Sequence, residues 1–120
     1  MTVTVTGIKA AQDGLDDALR DINIESELLL TLILQGISAN TMPYVPVDTS
    51  FLINSEFRST EMTPRGPRGE IGYGASYAEF VHDGPQKNWQ KAGASNRFLE
   101  FGVRDFIADD LSALIARFQP

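Results

Sequence analysis

His82 is the only histidine in the chain, and a histidine beside an aspartate is a natural starting point for acid–base or nucleophilic chemistry. A Ser-His-Asp relay would pair it with Asp83 or Asp48 and with a serine such as Ser55 or Ser76. Such relays are defined by geometry rather than by nearness in sequence, and no nucleophile-elbow motif is present. We therefore read His82 as a surface or interface histidine beside a turn. The acidic pairs Asp16-Asp17 and Asp109-Asp110 are no better placed to hold a metal. Adjacent residues on a helix diverge by about 100°, and the alternating acidic ligands and closing glutamate of a calcium loop are absent. The chain has no cysteine, which removes thiol nucleophiles, thiolate zinc sites and disulfides. Gly69, Gly72 and Gly74 lack the order and the strand–glycine–helix context of a dinucleotide fingerprint. The expectation is a protein that is not an enzyme and carries no cofactor or metal.

Basic residues offer a different chemistry. Arg65 and Arg68 sit in the glycine- and proline-rich stretch Pro64-Arg65-Gly66-Pro67-Arg68-Gly69, and Lys87 and Lys91 bracket Trp89. Nucleic-acid grooves combine basic residues with stacking aromatics, and the Lys87–Lys91 segment is where that combination occurs locally. These four basic residues are candidates for contact with passing DNA or an acidic partner. Trp89 also has the character of an interface anchor, because tryptophan is enriched among binding hot spots.

The bulk composition bounds these ideas. The chain has 120 residues with 42% hydrophobic and 22% charged content, which fits one ordinary globular domain. Its net charge is -6, which argues against a protein whose main task is gripping phosphates. The first residues, Met1-Thr2-Val3-Thr4-Val5-Thr6, do not form a basic segment followed by an apolar run, so a signal peptide is not expected. The longest apolar run, Leu28 to Leu34 with Thr31 inside it, is far short of the roughly 20 residues of a membrane span.

The elements that must position these residues can be read from periodicity. Thr2 to Thr6 alternates threonine and valine, a strand signal. Ile8 to Met42 reads as helical, with a break near Asp21–Asn23. Its first half carries Ala11, Leu15, Ala18 and Leu19 on one stripe. Its second half, with Asn23 as N-cap, ends before Pro43. In this second helix Leu28, Leu29, Leu30, Leu32, Ile33, Leu34 and Ile37 sweep roughly two-thirds of the circumference, more than the stripe of about 100° that a surface helix needs. Either the rest of the chain wraps this helix or one flank meets a neighbouring subunit. We expect the subunit contact, with Leu28, Leu29, Leu30, Ile33, Leu34, Ile37 and Trp89 as its candidates. Phe51 to Thr60 then carries a turn and a strand, 64–69 a hairpin tip, and Ile71 to Gly74 the returning strand. A polar loop over 83–96 precedes a last helix, about Asn96 to Phe118, striped by Val103, Ile107, Leu111, Leu114, Ile115 and Phe118.

Two segments flanking the hairpin carry a family resemblance. The first places Pro46, Asp48, Thr49, Leu52 and Ser55 in a Pro-x-Asp-Thr-Gly-x-Leu-x-x-Ser pattern, with Ser50 where glycine is usual. The second places Tyr77, Ala78, Val81 and Gly84 in a Tyr-Ala-x-x-Val-x-x-Gly pattern, and Phe98-Leu99 opens the last helix. In this order the chain resembles the tail-completion, or head–tail joining, proteins of long-tailed bacteriophages. The motif residues themselves are structural. Asp48 and Thr49 can bond nearby backbone, Tyr77 offers a ring and one hydroxyl, and Ser50 replaces a residue suited to positive φ.

The resemblance implies an α+β fold, a small antiparallel sheet packed against a long N-terminal helical region and a C-terminal helix, in a single domain over 1–120. It also implies a virion structural protein, made in the bacterial cytoplasm and located in the neck. There it would form a ring, a hexamer in the family pattern, between the tail-tube or tail-terminator protein and the head connector, with DNA passing transiently and no membrane involved. The alternative function is a small protein-binding or regulatory module of a prophage or host.

Overall fold

The structure is a computed structural model that describes residues 2–5, 9–20, 22, 26–45, 54–74 and 97–118. Threonine–valine alternation gives strand β1 (Thr2–Val5), with Val3 and Val5 buried and Thr4 exposed. Helix α1 (Lys9–Leu19) buries Leu15 and Leu19. After the break comes helix α2 (Glu27–Thr41). Its cap is Ser26, whose hydroxyl accepts a 3.2 Å bond from the Leu29 amide, so the helix starts later than a cap at Asn23 would set it. Glu27 lies in the first turn, where a carboxylate suits the helix dipole. A short 3₁₀ turn (Met42–Tyr44) carries Pro43 out of α2.

Strands β2 (Glu56–Thr63) and β3 (Gly66–Tyr73) form an antiparallel hairpin. The reversal is only Pro64-Arg65, tighter than the tip expected over 64–69. Gly66 takes φ 108°, a conformation that side chains resist, and Thr63 Oγ1 accepts from the Arg65 amide at 3.2 Å and donates to the Gly66 carbonyl at 2.7 Å. Pro67, Arg68 and Gly69 therefore belong to β3.

The sheet order is β1-β3-β2, with β1 parallel to β3. The α+β class stands, but the sheet is mixed rather than antiparallel. The helical region between β1 and the hairpin returns the chain to the same end of the sheet, which allows a parallel pairing of β1 with β3.

The chain ends in helix α3 (Phe98–Phe106), a wide π-helical turn (Ile107–Leu111) and helix α4 (Ser112–Ala116). Phe98, Leu99, Val103, Phe106 and Leu111 are buried, Ile107, Leu114 and Ile115 pack partly against them, and Phe118 is exposed. The extra residue in the wide turn lets the apolar stripe shift while the helix continues.

Helix α2 lies between the sheet and α3. On the sheet side, Leu30 and Leu34 pack so closely over Gly69 that a Cβ there would sit 3.0 and 3.1 Å from them. On the α3 side, Phe106 fills the space above Gly36, and Gly102 meets Thr41. This double coverage corrects the expected subunit interface. Leu29, Leu30, Ile33, Leu34 and Ile37 are buried in the chain's own core, while Leu28 is 60% exposed. A helix apolar nearly all round is a central helix here. Among the described residues, no helix is long and apolar enough to cross a membrane.

The α2–α3 crossing makes a measurable demand. A Cβ at Gly102 would lie 1.8 Å from Thr41 Oγ1 and 2.7 Å from its Cα, so relief requires moving backbone. Gly102→Ala is expected to destabilise the protein by about 1–3 kcal/mol. Gly14, with nothing within 4 Å of its would-be Cβ, is the control: Gly14→Ala should stabilise α1 by about 0.5–1 kcal/mol. Urea unfolding of both variants checks the pair, and a neutral Gly102→Ala would mean that the helices do not cross this closely.

Candidate functional site

The described surface has its densest polar arrangement where β2 meets α2. Side chains of Glu56, Arg58 and Thr60 fall on the helix-facing side of β2 by strand alternation, and they replace the apolar residues that this side of a strand usually carries. Ser38, buried on α2, donates from Oγ to the Glu56 carboxylate, 2.8 Å from each oxygen. The Tyr73 hydroxyl lies 3.4 Å from Glu56 Oε2, and Arg58 Nε lies 3.1 Å from Oε1. Burial and the adjacent Glu56 carboxylate push the Tyr73 hydroxyl far above its ordinary pKa, so it stays protonated and can donate. About two turns of helix away, Thr31 Oγ1 donates to the Glu27 carbonyl at 2.9 Å and sits 3.1 Å from Thr60 Oγ1, which lies 3.2 Å from Glu27 Oε1.

Between these two clusters runs an open groove of about 300 Å³ lined by Thr31, Leu34, Gln35, Glu56, Arg58, Ser59 and Thr60. Its chemistry is hydrogen bonding. The carboxylate of Glu56 is tied to a serine, a tyrosine and an arginine, an arrangement that anchors a strand to a helix.

A second groove, about 400 Å³, is lined by Ile22, Ile107, Leu111, Ser112, Ile115 and Ala116. It is mainly apolar and follows the wide turn of the last helix. The Asn40 amide braces that turn, donating to the Gly36 carbonyl at 2.8 Å and to Asp110 Oδ2 at 2.6 Å.

A third cluster joins the 3₁₀ turn to α3. The Tyr44 hydroxyl donates to Asp105, and Arg104 bonds the same carboxylate at 3.0 Å. Arg104 also lies 4.7 Å above the Phe101 ring and Arg97 lies 5.7 Å above it, while Tyr44 meets that ring edge-on. The Tyr44 bond, helped by Arg104, holds the Asp105 carboxyl below its ordinary pKa. The same bond raises Tyr44.

The basic candidates separate. Arg65 stands exposed at the hairpin reversal. Arg68 is not at the tip: it lies in β3 opposite Glu61 and forms a 2.9 Å ion pair with it. A two-residue reversal is too short to include both arginines. Phe98 and Leu99 are fully buried at the start of α3, and Phe98 meets Tyr73 edge-on at 5.3 Å. Pro46, Asp48, Thr49, Leu52, Tyr77, Ala78, Val81, Gly84, Lys87, Trp89 and Lys91 lie outside the described residues, as do His82 and Asp83. Asp16-Asp17 and Asp109-Asp110 are exposed, and no group of three potential metal ligands occurs among the described residues.

Comparison with family models, with curated proteins and with solved structures finds no match. Sequence reading missed the Glu56–Ser38–Tyr73 cluster and the β2 edge. A signal was present: in Glu56-Phe57-Arg58-Ser59-Thr60 the alternating set Glu56, Arg58 and Thr60 is wholly polar and Phe57 is the one apolar residue of the other set, which is unusual for a strand that covers a core.

Two outcomes are expected. Glu56→Ala leaves the Ser38 and Tyr73 hydroxyls without their acceptor and should cost about 1–3 kcal/mol. Adding Ser38→Ala to it should cost less than the sum of the two single changes in urea unfolding, and strict additivity would show that the two side chains do not interact. For Asp105, a lowered folded-state pKa contributes stability that is present above the ordinary aspartate range and lost as pH falls through the lowered value. The stability gap between wild type and Tyr44→Phe should accordingly be largest near neutrality and shrink in acid. A gap that does not vary with pH would mean Tyr44 acts by packing alone.

Proposed function

We propose that this chain is a non-enzymatic structural protein of a tailed-phage virion. It completes the tail at its head-proximal end and joins it to the head connector as part of an oligomeric ring. The observation that carries this reading is the ordered series of motifs along the chain. The Pro46–Ser55 segment leads into a β-hairpin, the Tyr77–Gly84 segment follows it, and Phe98-Leu99 opens the last helix. Two members of that series have a defined physical role in the fold. The hairpin forms two of the three strands, and Phe98 and Leu99 are buried where α3 starts.

The polar clusters support the non-enzymatic part. Glu56 is engaged by Ser38, Tyr73 and Arg58, and Asp105 by Tyr44 and Arg104. Both carboxylates act as fasteners between elements. For ring contacts, exposed Leu28 together with Trp89 replaces the broad α2 flank. Arg65 is the described basic residue at the hairpin reversal, so it is the candidate for contact with passing DNA or an acidic neighbour.

Deleting the gene from its phage tests the reading. Negative-stain images should show separate filled heads and tails, and mass spectrometry of purified wild-type virions should detect the chain. Normally joined particles in the deletion, or virions without the chain, would overturn it.

A further inference from the structure

The two edges of the sheet are treated differently. At the β1 edge, the Gln12 carboxamide of α1 accepts a bond from the Val5 amide and donates to the Val3 carbonyl at 2.7 Å. One side chain thus takes up a donor and an acceptor as a further strand would, and the middle of that short edge is occupied. At the β2 edge, the ladder fixes which groups face outward. Gly74 donates to the Ser55 carbonyl at 2.8 Å, so residues 55, 57, 59, 61 and 63 turn their backbone towards β3. The backbone amides and carbonyls of Glu56, Arg58, Thr60 and Met62 therefore point away from the sheet. Among the described residues, no backbone bond to them from outside β2 and β3 is recorded.

Side chains along this edge say what fits it. Phe57 is 38% exposed on the face away from the helices, opposite Gly72. Glu56 and Arg58 flank it with opposite charges. A two-fold axis through Arg58 would set that arginine against itself. A two-fold through Ser59 would set Phe57 against Glu61. A two-fold through Phe57 instead places each Glu56 opposite an Arg58 and the two aromatic rings together. Cross-strand opposite charges and aromatic pairs stabilise sheets, whereas like charges directly opposite destabilise them.

We infer that β2 pairs antiparallel with β2 of a second copy of this chain, in the register centred on Phe57, to give a continuous six-stranded sheet. Glu56 and Arg58 exchange the backbone bonds across the two-fold, and Phe57 packs against Phe57 of the partner subunit. The contact is isologous and closes at two chains. It is a property of the free protein, independent of the contact that would build a ring. The strand pair is short, which places the contact among weak, concentration-dependent associations.

The chain's lack of cysteine allows a test of register. Directly opposed residues in a non-hydrogen-bonded antiparallel pair have Cα atoms about 4.5 Å apart, within disulfide reach. Phe57→Cys should therefore cross-link into a covalent dimer on mild oxidation, and Glu61→Cys should not. In light scattering over a concentration series, the wild-type mass should rise from 13.2 kDa towards twice that value. Arg58→Pro removes an outward amide without touching the β2–β3 ladder, and Arg58→Glu sets like charges opposite each other. Each should weaken dimerisation about ten-fold or more, with circular dichroism confirming that the variants stay folded. Wild type that stays monomeric throughout overturns the inference, including when it captures a strand of some other partner. So does a dimer that survives both Arg58 changes, or equal cross-linking at positions 57 and 61.

Discussion

The close crossing of α2 and α3 is the constraint on which the rest of this fold depends. Two glycines, one on each helix, make it possible: Gly36 receives the Phe106 ring and Gly102 receives Thr41. The notches are reciprocal, so each helix supplies one knob and one hole. Thr41 can serve as a buried knob because its hydroxyl donates to the Ile37 carbonyl at 2.7 Å, and an unbonded buried hydroxyl would be costly. With the helices this near, Phe98, Leu99 and Val103 reach the same core as Ile33 and Ile37. The C-terminal helix then covers the side of α2 that the sheet does not.

From this crossing follows a gradient across the sheet. The centre of α2 rests on β3, where Gly69 admits Leu30 and Leu34, and that part of the interface is apolar. Towards β2 the attachment changes character. Ser38 with Glu56, and Thr31 and Glu27 with Thr60, hold the edge strand by hydrogen bonds. The tight hairpin sets the register of β2 against β3, and these bonds add to it because each donor must meet a specific acceptor. Such polar anchoring also suits an outer strand that no described backbone covers, since charges and hydroxyls on an edge suppress indiscriminate pairing.

Much of this was legible in the sequence. Threonine–valine alternation marked β1, the apolar stripes marked the helices, and glycine and proline marked the hairpin. The α+β class was what the family resemblance implied, and these elements agree with it. What was not legible was who covers whom. The two-thirds apolar circumference of α2 is equally compatible with a neighbour from another chain and with a second layer from its own chain. The deciding residues, Gly36 and Gly102, are inconspicuous in sequence, because a helical glycine acquires meaning only from what sits opposite it. The mixed sheet was hidden for a similar reason: strand direction depends on how the intervening helices return the chain, which periodicity does not encode. The shared position of Arg65 and Arg68 at a hairpin tip gave way to turn length, since a two-residue reversal puts one at the tip and the other into a cross-strand ion pair.

Burial of the α2 flank changes where an assembly surface can lie. Among the described residues, most large apolar side chains lie in the chain's own core, with Leu28, Phe57 and Met62 among the exposed ones. Leu28 stands in the first turn of α2, and Phe57 and Met62 on the outer strand. Contacts made there must rely on backbone pairing and charge as much as on apolar area. Backbone pairing is directional and fixed by register, so it can specify a partner with little buried surface. Among the described residues, Gln12 occupies the middle of the β1 edge and no backbone pairs the outer side of β2, so such pairing is one-sided. One-sided pairing between copies can only be two-fold, because a ring or filament built by strand addition needs two different edges to join. A ring of these chains would have to be held through other surfaces, and the hairpin edge would remain free for a contact of its own.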